Sequence, residues 1–139
     1  MKTIKSILIV AAVLLVTISL NSYTNIITPG WKMQPQWNFT TTGNAGLPKT
    51  KCYNIKQGKR AVITVSNSSN IGAEVWIYGA DANCTAGRAL QLNEGTSAVN
   101  AKSDAVYKIT CDQPVLKMQI SIIARTGTAN GLVSVNIEQ

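Results

Sequence analysis

The chain has 139 residues and a formal charge of +7, which leaves room for one domain. It contains no histidine. That removes the commonest general base, the Ser-His and Cys-His nucleophile pairs, and most zinc or copper sites.

In chain order, Lys2 and Lys5 precede an apolar run from Ile7 to Val16 that extends through Leu20. About 14 residues is short of the roughly 20 that cross a bilayer as a helix. Residues 1–22 are therefore expected to be a secretory signal peptide, with an uncleaved N-terminal anchor as the alternative. The expected location is secreted, extracellular or at the cell surface. Removing Lys2 and Lys5 lowers the formal charge from +7 to +5. About 115 residues then remain, enough for a two-sheet core.

Residues 23–48 read as an extended arm, poor in charge and punctuated by Pro29-Gly30, Pro35 and Pro48. The arm carries Trp31 and Trp37, with Trp37 to Thr40 as a short strand. These tryptophans either cover the base of the domain as a lid or anchor a neighbour or ligand.

From residue 49 to 139 the pattern becomes short strands separated by turns. Lys51 to Ile55 is expected as a strand, closed by Gln57-Gly58. Ala61 to Ser66 and Ala73 to Tyr78 form an expected hairpin across the polar turn Ser66 to Asn70. Its core residues would be Ile63, Val65, Val75 and Ile77. Ala89 to Leu92 is a short strand ended by Asn93-Glu94-Gly95, and Thr96 to Ala101 a weak one. Ala105 to Cys111 turns Tyr107, Ile109 and Cys111 to one face. Pro114 stops that ladder, having no N–H to give. Val115 to Ala124 alternates with Leu116, Met118, Ile120, Ile122 and Ala124 inward. A turn over Thr126 to Gly131 precedes a last strand with Val133, Val135 and Ile137 inward. The expected fold is all-β, a single antiparallel β-sandwich of about eight strands, jelly-roll or Ig-like.

Cys52, Cys84 and Cys111 are the three cysteines. Export makes a disulfide the expectation, and an odd count leaves one thiol over. The first pairing is Cys84 with Cys111, leaving Cys52 for a bond between chains; Cys52 with Cys111 is the alternative. Five basic residues, Lys49, Lys51, Lys56, Lys59 and Arg60, cluster in sequence. They either attract an anionic surface or polysaccharide, or protect an exposed strand edge from pairing. No nucleic-acid-binding module is present, so no nucleic-acid partner is expected.

The acidic residues are Glu74, Asp81, Glu94, Asp104, Asp112 and Glu138. None forms the facing pair a glycosidase needs, and no dense Asp/Asn/Gly loop suits calcium. No enzymatic activity, metal or cofactor is expected. Trp76 and Tyr78 share the face of their strand opposite Val75 and Ile77. Exposed, they make a platform about 7 Å long on which sugars could stack; covered, they are core. Asn38, Asn67 and Asn83 begin glycosylation sequons.

The order of the second half has a β-hairpin, a strand opening at Gly95-Thr96-Ser97, a strand ending at Cys111, and a Gly-containing turn before the terminal strand. Over residues 60–139 this resembles subunits of bacterial endospore appendage fibres. The resemblance implies a jelly roll joined to its neighbours through N-terminal arms and disulfides. The chain departs from that group in its signal peptide and in lacking a cysteine run at its start.

The expected function is that of a secreted, non-catalytic structural or interaction protein, self-associating or contacting another extracellular protein or the cell surface. A module binding carbohydrate or an anionic surface is the alternative, and a small secreted inhibitor or toxin the third reading.

Overall fold

The computed structural model describes residues 30–43, 46–90, 92–94 and 97–139. The expected signal peptide lies outside them, as does the start of the arm. The described residues form eleven strands: β1 (Trp31–Met33), β2 (Trp37–Thr42), β3 (Lys49–Asn54), β4 (Arg60–Asn67), β5 (Ala73–Ala80), β6 (Ala86–Ala89), β7 (Leu92–Glu94), β8 (Ala98–Val99), β9 (Ser103–Thr110), β10 (Lys117–Ala124) and β11 (Thr128–Glu138). All pairings are antiparallel.

The first sheet runs β1-β11-β4-β9-β7, with β2 also on β11. The second runs β3-β10-β5-β6, with β8 also on β5. From β2 to β5 the chain changes sheet at every step. The long strands therefore order as β2-β11-β4-β9 facing β3-β10-β5-β6. That connectivity is a jelly roll, and it separates the two architectures left open by the sequence.

Inward residues come from the period-two alternation of both sheets. Ala61, Ile63 and Val65 of β4, Tyr107 and Ile109 of β9, and Val133, Val135 and Ile137 of β11 face Val75 and Ile77 of β5 and Met118, Ile120 and Ile122 of β10; all are buried. Each Val, Ile or Met side chain among them that is withdrawn from water contributes about 1.5–3 kcal/mol. Leu116 departs from the expected inward row. It precedes β10 and stays 63% exposed.

The expected hairpin does not exist. β4 pairs with β11 and β9, and β5 pairs with β10, β6 and β8, so the polar turn carries the chain from one sheet to the other. Asn67 makes that crossing possible. Its amide donates to the carbonyls of Ile71 (2.7 Å) and Asn100 (2.9 Å), and its oxygen accepts from the Ser69 N–H (3.1 Å) and hydroxyl (2.6 Å). Backbone groups turned away from both ladders need such partners.

β1 and β2 lie end to end along one edge of β11, separated at Pro35; Gln34 N–H continues the ladder to Val135 O at 2.8 Å. Residues 31–42 of the expected arm thus belong to the sandwich. β11 also begins at Thr128, inside the segment read as a turn. Ala89 to Leu92 is not one strand either: β6 joins the second sheet and β7 the first.

Candidate functional site

β5 places Val75 and Ile77 in the core, so Glu74, Trp76 and Tyr78 project from the outer face of the second sheet. Trp76 is 42% exposed. Its ring lies near-parallel to that of Tyr78, with an 18° interplanar angle and centroids 6.5 Å apart. This is one two-residue strand repeat, and it makes a continuous aromatic strip.

Polar groups flank the strip. Ser121 of β10 lies directly across from Trp76, and Gln119 across from Tyr78. At one end Glu74 and Arg125 form a partly exposed ion pair at 3.8 Å. Such a pair orients groups more than it stabilises them.

At the other end the loop after β5 folds back over β10. Asp81 builds this loop by accepting from the N–H groups of Asn83 (2.9 Å) and Thr85 (2.8 Å). Cys84 then adopts φ of 68°, a left-handed conformation uncommon for a residue with a Cβ. From there it reaches Cys52 on β3, with the two Cα atoms 6.0 Å apart. Gln119 sits beneath the bridge, since it pairs with Cys52 on one side and Tyr78 on the other.

The disulfide is therefore Cys52–Cys84, and both expected pairings with Cys111 are corrected. Cys52 is not available for a bond between chains. Cys111 is the free cysteine, fully buried, its thiol pushed up in pKa by burial. Strand parity held the signal. Cys111 shares the inward face with Tyr107 and Ile109, whereas Cys52 lies next to inward Tyr53 and so points outward. A core-facing thiol cannot meet a cysteine in an exposed loop.

The other expected binding residues scatter. Trp37 is 8% exposed and packs edge-to-face on Phe39, with centroids 6.5 Å apart, so it is core and not a surface anchor. Trp31 is half-buried on β1 beneath the Arg60 guanidinium, 5.5 Å from its ring. The basic run divides as well. Lys51 lies over the ring of Tyr53 at 5.8 Å, on the edge strand β3. Lys49 begins that strand, about 17 Å from its far end at 3.3 Å per residue. Lys56 and Lys59 follow that far end, and Lys59 donates to Gln139 O at 2.5 Å. Arg60 makes two side-chain bonds to Glu138, at 3.0 and 3.2 Å. The five residues form no single cationic patch.

Among the described residues no group of three or more His, Cys, Asp or Glu could hold a metal ion, and no helix is long and apolar enough to cross a membrane. Asn67 is buried and its amide is committed, so its sequon is closed in the folded chain, while Asn38 and Asn83 are exposed.

Fold and face together define a β-sandwich of jelly-roll connectivity whose second sheet presents an aromatic strip bounded by a disulfide-pinned loop. No protein-family model and no curated protein matches the chain. Among solved structures it is similar to the SPBc2 prophage-derived protein YomS, with 12% identity and a TM-score of 0.48, covering 82% of this chain and 100% of that one. It is similar to a chain from Bacillus endospore appendages, which form disulfide-linked pili, with 14% identity and a TM-score of 0.48, covering 77% and 85%. It is also similar to part of a Clostridium thermocellum xylanase with CBM22 and GH10 modules, with 13% identity and a TM-score of 0.44, covering 79% and 26%.

Proposed function

We propose that the protein is an exported, non-catalytic recognition module that contacts a cell-surface or extracellular partner through the outer face of its second sheet. The observation that supports this is the Trp76–Tyr78 strip: a large aromatic, 42% exposed and aligned with a second ring, on a sheet whose other face is the core. Aromatic groups that stay partly wet carry much of the energy of surface contacts. Polysaccharide is the ligand class that suits the face best. Sugar rings stack on aromatic planes through their C–H faces, and Gln119, Glu74 and Arg125 offer polar groups beside them. Export is supported by the expected signal peptide together with the Cys52–Cys84 bond, which belongs to an oxidising compartment. The absence of histidine supports a non-catalytic role.

Self-association through the same face is the second reading. It would be non-covalent, because Cys52 and Cys84 hold each other and Cys111 is buried.

The test is retention of the exported protein on a panel of insoluble polysaccharides at low salt, with Trp76→Ala alongside and sedimentation velocity on both. Retention by the parent chain, lost by a folded Trp76→Ala, supports carbohydrate recognition. An oligomer that the substitution dissociates moves the face to self-association. Neither retention nor oligomer, or retention unchanged by the substitution, overturns the assignment.

A further inference from the structure

One end of the sandwich holds an open cleft of about 640 Å³, where β1, the loops after β3 and β9, and the last residues of the chain meet. That volume lies in the range of small-molecule sites. The lining divides by chemistry. Ile55 and Ile137, 4% and 3% exposed, close its floor, with Val115 beside them and Leu116 standing 63% exposed above. Lys32, Lys56 and Lys59 also line it.

Lysine side chains outnumber carboxylate side chains in the cleft, three to one. Its one carboxylate side chain among the described residues, Glu138, is occupied by Arg60, which donates from Nη2, Nε and its backbone N–H. Lys59 is tied to the Gln139 carbonyl. Lys32 and Lys56 take part in no ion pair among the described residues. Two ammonium groups without counter-charge beside a concave apolar floor complement an anion that brings an apolar tail with it.

We propose that this cleft binds a small amphiphilic anion, with Lys32 and Lys56 taking a carboxylate or phosphate head and Ile55, Val115, Leu116 and Ile137 taking the tail. The cleft shares no residue with the Trp76 face, so either proposal stands or falls without the other.

Calorimetric titration of the exported protein with laurate, dodecyl phosphate, dodecanol and acetate, each below its micellar concentration, tests both halves of the recognition. Laurate and dodecyl phosphate bind; dodecanol, lacking the charge, and acetate, lacking the tail, bind at least tenfold more weakly. Lys32→Gln combined with Lys56→Gln lowers laurate affinity at least tenfold and flattens its salt dependence, while Trp76→Ala leaves it unchanged. Both lysines are exposed, and an unchanged thermal midpoint confirms that the variant folds. Dodecanol binding as tightly as laurate, the double variant binding like the parent, or no binding of laurate at millimolar concentration each overturns the proposal. Co-sedimentation with phosphatidylglycerol vesicles, lost in the same variant, identifies a lipid headgroup as the source of the anion. Laurate binding without co-sedimentation identifies a free amphiphile.

Discussion

Gln119 donates from its side-chain amide to the backbone carbonyl of Cys84, 2.6 Å away, although the two are 35 residues apart and on different elements. β10 is the second strand of its sheet, and the loop after β5 must cross its outer face to reach Cys52 on β3. Gln119 supports the loop midway. Three strands are thereby tied on the outside of a sheet whose inside is held by Met118, Ile120 and Ile122.

Removing that tie has a calculable effect. The bridge spans 32 residues, and closing a loop of that size removes about 3–4 kcal/mol of denatured-state freedom. Replacing Cys52 and Cys84 together with serine is expected to lower the stability by that amount in urea titration. In the parent chain, Ellman's reagent should find almost no thiol before unfolding and one, Cys111, after it.

The two tryptophans Trp37 and Trp76 should behave as opposites. Trp37→Ala empties a buried site against Phe39 and costs about 3–5 kcal/mol. Trp76→Ala trims a partly exposed ring and costs about 1 kcal/mol or less. Denaturation midpoints decide this directly, and a collapse of Trp76→Ala would make that ring structural.

Gly131 of β11 lies between Phe39 of β2 and Asn67 of β4 in the ladder. A Cβ there would meet the Ser66 carbonyl oxygen and the Phe39 ring, whose Cε1 and Cζ lie at 2.7 and 2.8 Å. The Ser66 oxygen is backbone in a central pairing and has no rotamer to change. Gly131→Ala is expected to cost about 3 kcal/mol or more, measured by thermal or urea unfolding.

The hydroxyl of Tyr107 ends in the core with no partner, and burial pushes its pKa up to about 12. An unfolded phenol titrates near 10. The folded chain therefore keeps a proton that the unfolded chain releases. The associated stability is complete below about pH 10 and drains away as the pH rises toward 12. Tyr53 adds to the same loss, its pKa also raised to about 12 by burial. Tyr107→Phe removes an unsatisfied group, so it should leave stability at pH 7 unchanged or raised and reduce the fall between pH 10 and 12. Urea midpoints across that range give the answer.

Much of the sandwich was legible because period-two alternation is a local property. Ile63, Val65, Val75 and Ile77 declare their inward face from sequence neighbours alone. Partnership is not local. β4 and β5 look like a hairpin because a short polar turn joins them, but a turn of that length can also bridge two sheets, and the choice depends on where β11 and β10 lie. The same holds for Trp37, whose environment is set by Phe39 and by a strand ninety residues later. Cys111 was the exception, since its inward parity was readable and spoke against the pairing first preferred. Lys32, the residue that joins Lys56 at the cleft, carried no signal at all, because it stands outside the basic run.

The position of β11 governs when the molecule can come into being. It lies between β4 on one side and β1 with β2 on the other, yet it is the last strand in the chain. A polypeptide delivered N-terminus first presents Trp31, Trp37 and Phe39 long before their partner strand arrives, and β4 waits with one side of its ladder open. Folding in register with delivery is thus closed to the first sheet. Assembly of that sheet has to wait until β11 has been delivered, and until then these aromatic edge segments are the stretch a holding chaperone would meet.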